Sequence, residues 1–360
     1  MGRMDSSILL NDIVGGRRMQ DQEFLDLYQH ADLLAIARAA AQVRDQRFPD
    51  HVVTFIIDRN INYTNICSCA CKFCAFYRQP EAEDAYVIDQ ATLFAKVEEA
   101  LDLGATQLMI QGGLNASLGI DFYEEMFRSI KSRYEITIHS LTAPEIMFIA
   151  AQAGLSLMET LRRLQAAGLD SLPGGGAEVL HDEVRSRISP NKITSAQWLE
   201  VMRTAHAIGM PSTATMMMGS VDKLEHRLHH LRQIRALQDE TGGFRAFIAW
   251  TYQPGNNELL GQKLSSLEYL RFLALSRLYL DNIDHIQGSW VTQGKRVGQL
   301  TLFFGADDLG SIMIEENVVR SAGLNYKMKK EEMIALISAA GKIPAQRDTQ
   351  YNLLQIYPQE

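Results

Sequence analysis

What the chain lacks narrows it first. Its 360 residues include four cysteines, and all four fall between positions 67 and 74. So tight a cluster cannot staple a chain of this length, and disulfide frameworks belong mainly to small secreted domains. A reducing compartment and metal ligation are the expectation. No uninterrupted apolar run of about 18 residues occurs, so no membrane span is expected. Residues 1–20 hold arginines but no apolar core of signal-peptide length, which argues against export. Positive charge is scarce: 35 Lys and Arg against 43 Asp and Glu leave a formal charge of −8. A general nucleic-acid binder needs a basic surface to neutralise phosphates, so no nucleic-acid partner is expected. The triplet Gly174-Gly175-Gly176 lacks both GxGxxG spacing and the Lys-Ser/Thr of a P-loop, so neither nucleotide cradle is supported. Taken alone it reads as a turn.

What is present is a rhythm. The 46% hydrophobic content is ample for a large core. After a helical stretch, Asp21 to Arg47, the β-branched run Val52 to Ile57 reads as a buried strand. Asp89 then caps a helix striped by Leu93, Val97 and Leu101, with Gly104 as its stop. Strand candidates follow at Gln107–Ile110, Ile136–Ile138, Leu169–Leu172, Thr213–Met218, Phe244–Tyr252, Ile283–Ile286 and, weakest, Ile312–Ile314, with helical patterns between them. Eight alternations imply a parallel sheet with helical crossovers, an α/β fold closed into a (β/α)8 TIM-type barrel. The open doubly wound sheet is the rival. No low-complexity linker divides the chain. The expected layout is a helical lead-in over 1–50, the barrel over 51–320, and a helical extension over 321–360 packed on it.

The cysteines carry the chemistry. Without Cys69 they read Cys67-x3-Cys71-x2-Cys74. Three thiolates on a four-iron cluster leave one iron free to bind a substrate-like ligand, unlike the four-cysteine sets of electron carriers. A structural zinc site is the bland alternative, but zinc prefers four closed ligands, commonly as paired CxxC motifs, and no second pair exists. Cys69 could serve as the fourth ligand there; its spacing fits neither pattern, and it is read as a bystander.

The cysteine loop, with the aromatic Phe73 before its last thiol, resembles the signature of the radical S-adenosylmethionine superfamily. Asn62-Tyr63-Thr64-Asn65, Lys72 to Arg78 and Gln111 to Asn115 resemble the branch containing the futalosine-pathway enzymes of menaquinone biosynthesis and deazaflavin synthase. Ser171 to Glu178 points to the two futalosine enzymes. Ala214 to Gly219, Gln238 to Phe244, Trp250 to Pro254 and Ser289 to Thr292 resemble the ring-forming one of the two. The likeness runs from about Val52 to Asp348, and Cys69 is its one departure.

The resemblance implies a barrel of the radical S-adenosylmethionine kind, with a 4Fe-4S cluster and S-adenosyl-L-methionine as cofactors. It implies dehypoxanthine futalosine as substrate, losing its ribose C4′ hydrogen to a 5′-deoxyadenosyl radical. The carbon radical then adds to the benzoate ring, and an electron and a proton leave. A reducing partner such as a flavodoxin or ferredoxin is implied as well. On this reading Cys67, Cys71 and Cys74 hold the cluster. Phe73 lies against adenine, the backbone at Gln111, Gly112 and Gly113 approaches the methionine moiety, and Ser140 and Glu178 contact the cofactor. Arg78 and Lys192 are candidates for the benzoate carboxylate, with surface placement equally open. His139, His285 and Asp307, expected near the barrel mouth, are candidates for the final proton; Asp307 and Asp308 could equally be a turn-forming pair. His226, His229 and His230 fall on a polar helical face and are expected to be solvated. The sister aminofutalosine synthase and a plain metal-binding protein are the competing assignments.

Overall fold

The computed structural model describes residues 6–259, 261–324 and 327–358. Its strands are β1 (Val52–Ile56), β2 (Asp58–Ile61), β3 (Gln107–Ile110), β4 (Thr137–Ser140), β5 (Ser212–Met218), β6 (Phe244–Thr251), β7 (His285–Gln287), β8 (Asp308–Ser311), β9 (Ile343–Arg347) and β10 (Leu353–Ile356). β1 and β2 are one run of chain interrupted at Ile57, and each half has a different barrel neighbour. β2 pairs with β3 (Ile61 opposite Ile110) and β3 with β4 (Ile110 opposite Ser140). The bridges His139–Ser171 and Leu172–Ser212 carry the sheet to β5. β5 to β8 continue in order, and β8 returns to β1 with Thr54 opposite Asp308. All these barrel pairings are parallel. The expected closed barrel is therefore present, with its fourth strand reduced to a two-residue bridge.

Local chemistry explains the elements that hold it. The Asp89 carboxylate accepts from Thr92 N at 2.7 Å and caps Gln90–Asp102. Thr194, Ser156 and Ser265 each open a helix with a reciprocal capping box, which satisfies two otherwise orphaned donors. Met216, Met217 and Met218 are all buried, as are Trp198, Leu231 and Phe247 between sheet and helices.

Three expectations are corrected. The stretch 21–47 is two helices, Asp21–His30 and Leu33–Arg47, because the Asp32 carboxylate accepts from Ala35 N at 2.9 Å and restarts the ladder. The eighth strand is Asp308–Ser311 rather than Ile312–Ile314: polar Asp308 is taken inward by Arg347 and Thr54, so polarity hid a strand. Residues beyond 320 are not helical throughout. β9 lies parallel to β1 on the edge that β3 leaves free (Val52 opposite Ile343), and β10 covers β9 antiparallel. No described helix is long and apolar enough to cross a membrane.

Candidate active site

The cysteine loop leaves the carboxyl end of β2 and is clamped on both sides. Tyr63, fully buried, donates to Glu145 Oε1 at 2.7 Å, and the same oxygen accepts from Gly112 N at 2.9 Å. Asn65 donates from Nδ2 to Asp84 O at 2.8 Å and accepts from Tyr86 N at 2.9 Å. Cys67 N donates to Arg78 O at 3.1 Å and Arg78 N to Asn65 O at 2.7 Å, so the loop closes on itself. Ala70 sits at a φ of +45°, a conformation costly for a residue with a Cβ and sustained only where the surroundings impose it.

All four thiols are free and line one cavity of about 410 Å³ inside the barrel. Burial pushes the Cys67 and Cys74 thiols up. The Cys69 and Cys71 sulfurs are 3.5 Å apart. Their shared hydrogen bond pushes one thiol of the pair up and the other down.

Phe73, Gln111, Gly112, Gly113, Glu178 and Lys192 line the same cavity. A Cβ on Gly113 would stand 2.1 Å from Ile66 O and 2.7 Å from Cys67 Cβ, and one on Gly112 2.7 Å from the Tyr63 ring. The glycines are thus what lets the β3 loop lie against the cysteine loop. The Gly174 triplet works likewise: a Cβ there would meet Thr215 N at 2.6 Å. Glu178, at a φ of +41°, accepts from Lys192 Nζ at 2.8 Å, while its Oε2 is buried without a hydrogen-bond partner.

Two residues are not where the sequence reading expected them to act. Ser140 is fully buried and donates to Ile110 O, away from the cavity. Arg78 does not line the cavity. Its Nε is held by Asp84 at 2.8 Å and its Nη1 by the carbonyls of Ala75, Phe76 and Tyr77, so these donors clasp the loop.

Deeper in the barrel the cavity is lined by Asp58, His139, Arg245, Arg347 and Tyr351. Arg347 ends β9 and Tyr351 follows it, so the end of β9 and the turn after it form a floor. Asp58 accepts from Gln107 Nε2 at 2.8 Å and from Ser311 Oγ, yet burial still pushes its carboxyl up to about 6. His139 shares a 2.7 Å hydrogen bond with Ser171 Oγ. Burial, with Arg245 and Arg347 close by, holds it far below the usual histidine range, so the ring is neutral.

His285 and Asp307 lie at the amino ends of β7 and β8, opposite the mouth, and neither lines the cavity. Asp307 binds the buried Arg277 guanidinium and accepts from His285 Nδ1 at 2.6 Å. The His285 ring is sandwiched between Phe48 and Tyr351, the latter 3.5 Å away face to face. Strand ends come in two kinds, and periodicity does not say which end a residue near a boundary occupies. The histidine helix is also corrected: His230 is fully buried and accepts from Leu180 N at 2.9 Å, and His226 is buried too. The sequence reading missed Asp58, Arg245 and Tyr351 altogether. The charged residue inside an apolar strand pattern, Arg245 in β6, was the signal available for one of them.

The donor set fits a cluster with one open iron. Of the four thiols facing the cavity, three stand at the spacing of one such loop; glycine backbones approach them closely, and a buried carboxylate oxygen there lacks a hydrogen-bond partner. A closed parallel barrel whose first strand runs into such a loop defines the class of radical S-adenosylmethionine proteins. The model of the Radical SAM superfamily matches residues 61–234, and that of the CofH/MqnC C-terminal region matches residues 241–359. The chain is 48% identical to the cyclic dehypoxanthine futalosine synthase of Streptomyces coelicolor, covering 99% of this chain and 90% of that one. To the synthase of the same name from Halalkalibacterium halodurans it is 44% identical, over 97% and 95% of the two chains. The chain belongs to the radical SAM superfamily, in the family that includes these two synthases. Among solved structures, methylornithine synthase superposes with a TM-score of 0.74 at 17% identity, over 94% of this chain and 97% of that one. At that identity the likeness establishes the fold alone.

Proposed function

We propose that this protein cyclises dehypoxanthine futalosine in menaquinone biosynthesis, as a cytoplasmic enzyme fed electrons by a flavodoxin or ferredoxin. The observation that carries the reading is the near-full-length relation to the two synthases, whose matched stretches include the cysteine loop and the walls of the cavity. Cys67, Cys71 and Cys74 would hold the 4Fe-4S cluster. S-adenosyl-L-methionine on its open iron would supply, after one-electron reduction, the 5′-deoxyadenosyl radical that takes hydrogen from C4′ of the substrate ribose.

The chain's own residues orient and exclude. Phe73 offers an aromatic face at the cavity wall, Gly112 and Gly113 leave room for close backbone approach, and Glu178 has a carboxylate oxygen free to accept from hydroxyls. Lys192, committed to Glu178 and the thiols, belongs to the cofactor end. Restoring the benzoate ring's aromaticity releases a proton into the cavity above the floor that Arg347 and Tyr351 form. Of the three proton acceptors expected from sequence, only His139 lines that cavity, and the arginines beside it oppose a second positive charge. Asp58, poised near neutrality, takes that role in this reading.

Anaerobic reconstitution with iron, sulfide and a strong reductant, followed by incubation with each futalosine-pathway substrate, tests the proposal. Cyclic dehypoxanthine futalosine and one equivalent of 5′-deoxyadenosine are expected. Aminofutalosine with no cyclised product would assign the chain to the sister reaction instead. A metal-loaded protein that cleaves no cofactor would remove it from radical chemistry.

A further inference from the structure

The floor of the cavity holds one charge that the fold leaves unanswered. Arg347, beside it, is neutralised by Asp308, with Nε to Oδ2 at 2.6 Å and Nη2 to Oδ1 at 3.1 Å. Arg245, the second residue of β6, has no such partner. Among the described residues no carboxylate lies within ion-pair distance of it. Its Nε is buried with no hydrogen-bond partner. Its one side-chain contact is Nη2 at 3.5 Å from His139 Nδ1. Burial pulls the guanidinium down only to about 10, so it is charged at every physiological pH. A half-buried cation at a cavity wall with no carboxylate paired to it is a ready partner for an anionic ligand.

The position favours one kind of anion. Arg245 stands near the amino end of β6, whereas the cysteine loop stands at the carboxyl end of β2. Between them the cavity wall carries Met109, Ile248, Trp250 and Leu309, apolar surface suited to a flat ring. We propose that Arg245 anchors an aromatic carboxylate at the cavity floor. Resting on the proposed function, that carboxylate is the benzoate of dehypoxanthine futalosine, held so that the ribose points at the cofactor. This role passes to Arg245 from Arg78, which does not line the cavity, and from Lys192, which is paired with Glu178 near the thiols. Guanidinium suits the task because its planar fork pairs with both carboxylate oxygens.

The test uses the reconstituted holoenzyme and equilibrium dialysis with benzoate and, separately, benzamide. Wild type is expected to hold benzoate at least about tenfold more tightly than benzamide, the discrimination that one charge-assisted pair provides. Arg245→Met should lose that preference, and Arg245→Lys should restore part of it. With dehypoxanthine futalosine, Arg245→Met should raise KM by a similar factor and lower kcat less. Equal benzoate and benzamide affinity in wild type overturns the proposal, even if the methionine variant does not fold. So does an unchanged preference in a folded Arg245→Met. Benzoate binding through Arg245 in an enzyme that does not turn over dehypoxanthine futalosine would sink the substrate assignment and leave the anion site standing.

Discussion

The Nζ of Lys192 lies 2.8 Å from Glu178 Oε1 and 5.2 Å from the centre of the Phe73 ring. One buried ammonium thus touches the residue before the last cysteine and the carboxylate that follows the glycine triplet. Burial opposes its charge, but the negative charge of Cys71 and Glu178 more than offsets that and raises its pKa above the ordinary lysine value. A positive charge beside a cluster favours the reduced, more negative form. Lys192→Met should therefore shift the cluster's reduction potential to more negative values, read by a redox titration followed by electron paramagnetic resonance. An unchanged potential would mean the lysine serves packing only.

The cysteines divide three to one. Cys67→Ala, Cys71→Ala and Cys74→Ala should each lose most of the iron bound on reconstitution and all formation of 5′-deoxyadenosine. Cys69→Ala should keep both, although its sulfur lies 3.5 Å from that of Cys71. Iron content and visible absorbance decide, and a Cys69 variant that folds without loading iron would reverse the ligand choice.

Gly113 has no space for a side chain, because an added Cβ would overlap Ile66 O and Cys67 Cβ. Gly113→Ala should push the cysteine loop away from the β3 loop and cut cluster loading by about tenfold or more. The helical circular dichroism signal should survive, since the overlap touches no helix. Full iron loading in this variant would contradict the close approach.

Asp58 gives opposite signs for activity and stability. Its carboxyl rises from 3.8 to about 6 on folding. Between those values the folded state binds more protons than the unfolded, so stability falls as pH rises through the window, by about 3 kcal/mol in all. As a proton acceptor the same group must be ionised, so kcat should climb through about pH 6. Asp58→Asn should lose most of kcat, and its urea midpoint should gain on wild type from pH 5 to pH 7. A wild-type profile flat across pH 6 would exclude Asp58 as the acceptor.

Asp307 should matter to stability instead. Its partner Arg277 is fully buried, and removing one member of a buried pair costs about 3–5 kcal/mol. Asp307→Ala should lower the urea midpoint accordingly while the folded fraction keeps its kcat. A normal midpoint with lost turnover would return Asp307 to the chemistry.

Much of the molecule was legible in the chain because it rests on local rules. Asp89, Ser156 and Thr194 cap helices where short polar side chains can reach free backbone donors. β3 lies where the apolar run Leu108–Ile110 announced it, and seven of the eight barrel strands overlap their sequence candidates. Cysteine spacing picked out the proposed ligand loop because all four cysteines stand within one short segment.

What lay beyond reach depends on distant partners. The eighth strand begins with a polar Asp308 because Arg347, 39 residues later, neutralises it. Nothing within either segment announces that pairing. Periodicity placed His285 and Asp307 at strand ends but could not tell floor from mouth, and only the closed ring of parallel pairings does. The sequence by itself determined the class of chemistry and the loop proposed to hold the cluster, since both follow from residue type and spacing along a few turns of chain. The tertiary structure alone decided which polar groups face the cavity. It brought the segment after β9 under the barrel and left Arg245 without a counter-ion, through contacts between segments that meet only when the barrel closes.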